Sequence, residues 1–287
     1  MKMKTFAALL CGVCLLPLMV ACGANTPATT TETPSGSTEA TDPATNPVTT
    51  EVPATTEAPV TTASRKKSKM KIACVGDSIT YGVGASAQAS LSYPAQLGTY
   101  LKKNDTETTY TVLNYGKSRA YAINNAEIDY VYASDQSNAY TASGEYNAAM
   151  KVNADIVLIM LGTNDAYTAA QNKNVSEKYT AALEKIVESF RQNDRDPLIY
   201  LLLPPTRFDL AARKTAMDNI IYPAIEDVAS RLGCGIIDVH ALTVEHAPTL
   251  SAGTKNKIFN TDGIHLGDEG YRLVAELVGS RILDDLK

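Results

Sequence analysis

The sequence predicts an α/β fold, a three-layer α/β/α sandwich around a five-stranded parallel sheet, and three observations predict it. Five apolar runs of strand length recur at residues 71–75, 110–113, 155–161, 198–203 and 235–239. They are apolar on both faces, as strands buried inside a parallel sheet are. Segments with helical spacing of apolar residues separate them, and that alternation marks a doubly wound sheet. Right-handed crossovers then bring the C-terminal ends of the strands to one edge, where ligands of such folds bind.

The elements follow in order along 287 residues. Residues 1–21 carry lysines at 2 and 4, an apolar run from Phe6 to Val20 and a small residue before Cys22. That is the layout of a secretory signal, and its apolar run is too short to span a bilayer. Met19-Val20-Ala21-Cys22 resembles a bacterial lipobox, with Met19 where leucine is usual. The resemblance implies cleavage before Cys22, lipidation of its thiol and a membrane-anchored protein facing outward in the cell envelope. Residues 22–69 form a tether dominated by Thr, Pro, Ala, Ser and Glu, expected to be disordered because it has little apolar surface to bury. Extended, its 40 or so central residues reach on the order of 120 Å. The basic run Arg65-Lys66-Lys67-Ser68-Lys69 marks the boundary and reads as a solvated domain edge.

Residues 70–287 have the composition of one globular domain, long enough to bury its own core. Helical periodicity places Leu97 with Leu101 on one face over 94–102, and Tyr179, Leu183, Ile186, Val187 and Phe190 over 175–191. The spans 216–232 and 268–286 follow the same rule, and Asp268 and Glu269 suit the first turn of the last helix. The net charge of −5 argues against nucleic acid as a partner. Of five cysteines, Cys74 lies in the first strand and Cys234 precedes the last, so two free thiols are expected and no disulfide framework.

Four motifs carry the chemistry: Gly76-Asp77-Ser78-Ile79-Thr80, Asn114-Tyr115-Gly116, Gly162-Thr163-Asn164-Asp165 and Asp262-Gly263-Ile264-His265. The first three directly follow strand-like runs, and the fourth precedes the last helix. A neutral serine hydroxyl needs a base to take its proton as it attacks. Among His240, His246 and His265, only His265 has a carboxylate three residues away, Asp262, able to hold the ring while its other nitrogen faces Ser78. His240, at the end of the last strand, is the rival base. The oxyanion of a tetrahedral intermediate needs donors aimed at it, and the Ser78 N–H, the Gly116 N–H and the Asn164 amide are available. Gly116 suits this role because a residue without Cβ lets the backbone approach substrate closely. Asp77, Arg119, Tyr121 and His240 stand at the same edge as candidate substrate contacts. Asp77 and Asp165 are expected to organise their loops through backbone hydrogen bonds.

Ser78, Gly116, Asn164 and His265, in this order and these contexts, resemble the SGNH (GDSL-like) hydrolase family. The resemblance covers residue 70 to the C-terminus. It implies a flavodoxin-like sandwich, Ser78 as nucleophile, His265 as base paired with Asp262, and Gly116 and Asn164 as oxyanion donors. It implies no metal and no cofactor. Ile79 replaces the leucine of the family's nickname, and Arg119 stands in a loop where small residues are usual, which puts the shape of the pocket in question.

Export and a long spacer suit a polymeric substrate, so the expected function is that of a serine esterase removing acetyl or similar short acyl groups from polysaccharide. A lipase, lysophospholipase or thioesterase would keep the same mechanism. A glycan-binding module on a dead scaffold is the reading outside catalysis, and retention of Ser78, Asn164, Asp262 and His265 together argues against it. Gly82-Val83-Gly84-Ala85-Ser86-Ala87 fits a dinucleotide fingerprint but comes too late after the first strand, and no acid ends the second. The serine also lacks the G-x-S-x-G elbow. The segment 121–150 is long for a connection, and its tyrosines are candidates for stacking on sugar rings.

Overall fold

The computed structural model describes residues 65–124, 138–170, 174–193, 195–246 and 258–287. The expected signal, Cys22 and nearly all of the tether lie outside the described residues. So do Tyr130 and Tyr132.

Five strands form one sheet: β1 (Lys69–Gly76), β2 (Thr109–Gly116), β3 (Ile156–Met160), β4 (Leu198–Leu203) and β5 (Gly235–Asp238). Their order is β2-β1-β3-β4-β5, every pairing is parallel, and register aligns Gly76 with both Gly116 and Met160. This is the flavodoxin-like order, whose switch point lies between β1 and β3. The five-stranded sandwich expected from the sequence is therefore the one observed.

Alternation along each strand divides the core into two layers. Ile72, Cys74, Leu158, Met160 and Leu202 face one side. There they meet α3 (Tyr93–Asn104) through Tyr93, Leu97 and Leu101, and α10 (Asp268–Asp285) through Tyr271, Val274 and Val278. Val75, Val157, Ile159, Leu201 and Leu203 face the other side, against α6 (Val175–Phe190) and α8 (Tyr222–Leu232). Cys74, in β1, and Cys234, just before β5, are free, and β3 and β4 lie between those two strands.

Three local outcomes differ from the periodicity. The helix expected over 216–232 begins earlier, as α7 (Ala211–Ala216), and passes through a wide π turn (Met217–Ile221) into α8. Pro223 explains the widening, since it has no N–H for the Asn219 carbonyl and its ring would clash there in an ordinary α turn. The last strand stops at Asp238, whose carboxylate accepts the Ala241 N–H at 2.7 Å and starts α9 (Val239–His246). Finally, the basic run is an exposed edge, as expected, but one tied down by ion pairs. Arg65 pairs with Asp196, Lys66 with Asp105 and Glu107, and Lys67 with Asp155, so these residues are held at the N-terminal ends of the strands.

Candidate active site

Ser78 opens α1 (Ser78–Tyr81), a single turn that begins one residue past β1. Asp77 caps this turn by accepting the Ile79 N–H at 2.9 Å, which forces the chain to turn sharply and holds the serine at the strand's end. The Ser78 side chain is almost buried, at 5% exposure. Its N–H is one of the donors that helix geometry leaves unpaired at an N-terminus.

His265 reaches Ser78 from the other end of the chain. A bridge between Phe259 and Leu266 closes the loop that carries it, with Asn260 N–H donating to the His265 carbonyl at 2.9 Å. Asp262 organises the tip by accepting the Ile264 and His265 N–H groups through Oδ1, both at 2.9 Å. Its Oδ2 lies 2.7 Å from His265 Nδ1, and His265 Nε2 lies 2.8 Å from Ser78 Oγ. Burial raises the Asp262 pKa, but the bonds from the His265 ring and backbone and from Ile264 outweigh it and hold the carboxyl below its ordinary value. An ionised carboxylate, an imidazole and a hydroxyl in series can activate a serine and store the proton it gives up.

The second glycine of the rejected nucleotide fingerprint serves this loop. At Gly84, φ is +94°, and a Cβ there would come within 2.2 Å of Asn260 Nδ2 and 2.6 Å of the Leu266 carbonyl. Asn260 in turn donates to the Leu266 carbonyl at 2.8 Å, and Tyr271 Oη donates to the Val83 carbonyl at 2.6 Å. The base-bearing loop is therefore seated on the segment that follows α1.

Asn164 ends the turn after β3 and precedes α5 (Asp165–Ala169). One amide hydrogen goes to the Ala120 carbonyl at 2.9 Å, which leaves a second that can serve an anionic oxygen. Gly116 behaves differently from expectation. Its N–H already donates to Asn114 Oδ1 at 2.8 Å. The position needs glycine because a Cβ would lie 2.1 Å from the Tyr81 nitrogen, so close packing against α1 is the reason and not approach to substrate.

Two of the candidate substrate contacts are corrected. Asp77 is fully buried and Tyr121 is 5% exposed, its backbone bridged to Ala139, so neither side chain offers a surface to substrate. His240 sits in α9 instead of ending the last strand, with its ring 4.3 Å from that of Tyr222 and Nδ1 buried without a partner. His265, and not His240, is the histidine within hydrogen-bond distance of Ser78. Arg119 is exposed and has φ of +66°, a left-handed conformation that costs a non-glycine residue about 1 kcal/mol or more. In the long connection, Tyr140 is buried with Oη donating to the Tyr115 carbonyl, and Tyr146 packs edge-on between Tyr140 and Phe190. Neither is placed to stack on a sugar.

Below the site lie two buried carboxyls. Burial pushes Asp77 up to about 6, against the pull of the Ile79 N–H, the Thr163 hydroxyl and the nearby His265 and Arg207. Asp77 Oδ2 and Thr163 Oγ1 form no hydrogen bond of ordinary geometry, so their interaction is electrostatic and not a formed bond. Asp165 accepts the Ala122 and Ile123 N–H groups, both at 3.0 Å, and fixes the loop after β2, as expected of a loop-organising residue. Burial, with a smaller push from Asp77, carries its pKa up to about 7 against those two bonds and its own N–H.

Sequence reasoning missed Arg207. It is buried at 3% exposure, clamps Asp209 through Nε and Nη2, and donates Nη1 to the Thr163 carbonyl. Its neighbour Phe208 donates its N–H to the Gly263 carbonyl at 2.8 Å and packs its ring on Phe259. The segment after β4 thus ties the Asn164 loop to the His265 loop. The available signal was a cation in the short segment Pro204-Pro205-Thr206-Arg207 after an apolar strand, at the edge where the other motifs meet. Among the described residues no cluster of His, Cys, Asp and Glu is arranged to hold a metal ion.

Comparison with known proteins matches residues 74–273 to the sequence model of the GDSL-like Lipase/Acylhydrolase family. An acetylxylan esterase from Xylanibacter ruminicola is 27% identical over 237 residues, 76% of this chain. The match spans only 44% of that longer relative. An acetylxylan esterase from Geobacillus stearothermophilus shares the fold at a TM-score of 0.55 and 19% identity, over 77% of this chain and 96% of its own. The aryl esterase of M. smegmatis superposes equally well, at 0.55 and 16% identity, over 75% of this chain and 99% of its own.

Proposed function

The chain belongs to the GDSL-like lipase/acylhydrolase family and is an esterase of that type; on that premise we propose that it is an exported serine esterase that removes acetyl or other short acyl groups from polysaccharide. The observation that carries this reading is the continuous pair of hydrogen bonds, 2.7 and 2.8 Å, from Asp262 through His265 to Ser78. Ser78 Oγ attacks the acyl carbon as His265 Nε2 takes its proton, and Asp262 stabilises the imidazolium that forms. The oxyanion receives the Ser78 N–H and the free Asn164 amide hydrogen. Gly116 is left out because its N–H is already engaged. Collapse expels the sugar alkoxide, which takes the proton from His265. Water then attacks the acyl-serine, giving a proton to His265, and the acid leaves as Ser78 regains its hydrogen.

Two observations support a sugar ester over a lipid. The relative from Xylanibacter ruminicola is an acetylxylan esterase. Among the described residues the exposed large hydrophobics are Tyr81, Leu210 and Val244, far apart in the chain, so these residues present no run of exposed large hydrophobics for a long acyl chain. We further propose residues 1–21 as the export signal, Cys22 as the lipidated residue and 22–69 as the tether. Cys22→Ala should move the protein from the membrane fraction to the soluble fraction, and unchanged partitioning would remove the anchor from this reading.

The deciding experiment is hydrolysis of p-nitrophenyl acetate and octanoate, and acetate release from acetylated xylan, with Ser78→Ala as the blank. Serine-dependent turnover that favours acetate and frees acetate from xylan is expected. A preference for octanoate would overturn the substrate class, and no serine-dependent rate on any of the three would overturn catalysis.

A further inference from the structure

We infer that the segment between β4 and the π turn builds a sugar-binding subsite beside the ester, with Arg213 and Leu210 as its contact residues; this rests on the polysaccharide reading above. The segment is placed for such a role. Arg207 and Phe208 fasten it to the loops of Asn164 and His265, so whatever it presents lies at the rim of the reacting centre. Asp209, clamped by Arg207, also holds Arg213. Arg213 in turn lies over the Tyr167 ring, its guanidinium carbon 3.7 Å from the ring centre. Tyr167 is three residues past Asn164 and donates its N–H to the Asn164 carbonyl at 3.0 Å, so the stack stands one helical turn from the amide that faces the oxyanion. The packing of α5 against α7 joins the two halves.

The chemistry of this rim fits a sugar. Arg213 spends one hydrogen bond on Asp209, while a guanidinium carries five N–H hydrogens in a rigid fork. Its side chain is still 18% exposed, so part of it remains open to solvent. Stacking on Tyr167 and pairing with Asp209 fix the fork in advance, which reduces the entropy lost on binding. Leu210 is 53% exposed and lies one turn before Arg213, whose backbone N–H donates to the Leu210 carbonyl at 3.1 Å. A pyranose presents a face of C–H groups and an edge of paired hydroxyls; Leu210 matches the first and the Arg213 fork the second. A fatty acyl chain would gain nothing from the fork. The subsite thus takes the sugar that carries the ester or its neighbour in the polymer, on the leaving-group side of the bond.

The test compares kcat/KM on acetylated xylo-oligosaccharides and acetylated glucomannan with kcat/KM on p-nitrophenyl acetate, which has no sugar. Arg213→Gln, Arg213→Lys and Leu210→Ser are each measured. Each is expected to lower the ratio of sugar-ester to p-nitrophenyl ester kcat/KM by about tenfold, the worth of one good hydrogen bond or a buried apolar contact, chiefly through KM. Arg213→Lys keeps the charge but loses the fork, so its ratio should stay low. Leu210→Ser alters an exposed side chain and keeps the fold intact if Arg213 variants do not. Ratios unchanged in all three variants, with wild type active on the sugar esters, would overturn the subsite alone. A wild type that cleaves only the p-nitrophenyl ester would overturn the polysaccharide reading, and the subsite with it.

Discussion

Asp262→Asn tests the hydrogen-bond chain with the least change of shape. Asp262 Oδ1 accepts two backbone N–H groups, and Oδ2 faces the His265 ring. Asparagine has one carbonyl oxygen to cover both duties. If that oxygen stays on the backbone, the amide NH2 meets Nδ1, which must then become an acceptor. The ring proton moves to Nε2, and Ser78 faces a donor where it needs a base. If the amide flips, two backbone hydrogen bonds are lost, at about 1 kcal/mol each. The first arrangement therefore dominates, with its wrong tautomer. The equivalent change in a buried triad lowers kcat roughly 10⁴-fold. Asp262 keeps 44% of its side-chain exposure, so water screens its charge and competes for Nδ1. We expect about a 10³-fold loss, or ~4 kcal/mol of transition-state stabilisation. The assay is kcat on p-nitrophenyl acetate, with thermal unfolding to confirm the fold. A variant within tenfold of wild type, at an unchanged unfolding midpoint, would show that Asp262 does not set the tautomer. Asp262→Ala also removes the backbone acceptor and should lose a further ~1–2 kcal/mol of stability.

Asn164→Ala should lower kcat about 10²–10³-fold with little change in KM, and a KM effect alone would remove Asn164 from the oxyanion role. Gly84→Ala places a methyl group against Asn260 and the Leu266 carbonyl, so it should shift the His265 loop and depress kcat; wild-type kinetics would show that the loop is not seated on this turn. Arg119→Gly relieves about 1–2 kcal/mol of left-handed strain against roughly 0.5–1 kcal/mol of added chain entropy, a small net gain in the urea midpoint. A loss above ~1 kcal/mol would mean that the arginine side chain contributes more than its strain costs. Stability should also fall as pH rises from about 4 to about 7, because folded Asp77 and Asp165, at about 6 and about 7, hold protons that an unfolded chain has released. Asp165→Asn should flatten that slope in urea titrations across the range, and an unchanged slope would show that Asp165 is ionised in the fold.

What could be read from the sequence depended on how far apart the interacting groups lie. Asp262 and His265 share a short loop, and Ser78 and Asn164 each follow an apolar run by a few residues, so spacing alone brought them to one edge. The strand residues were legible for the same reason, since burial on both faces of a parallel sheet writes itself as continuous apolar sequence. What periodicity does not encode is where a backbone N–H points. Gly116 carried the right residue type at the right place, yet its N–H turns to Asn114 and its missing Cβ serves α1. His240 was misplaced because an apolar run does not mark the point where Asp238 caps a helix. Arg207 is the most instructive omission. As a cation after a strand it reads as solvated, because its partner Thr163 is 44 positions away. Once the order β2-β1-β3-β4-β5 is known, the residue that follows β4 must lie beside the turn that follows β3. Applied to every strand end, the same step favours an arginine there: the Thr163 carbonyl and the Asp209 carboxylate need a donor that stays charged, and a guanidinium gives two N–H groups to the carboxylate and one to the carbonyl from one rigid plane.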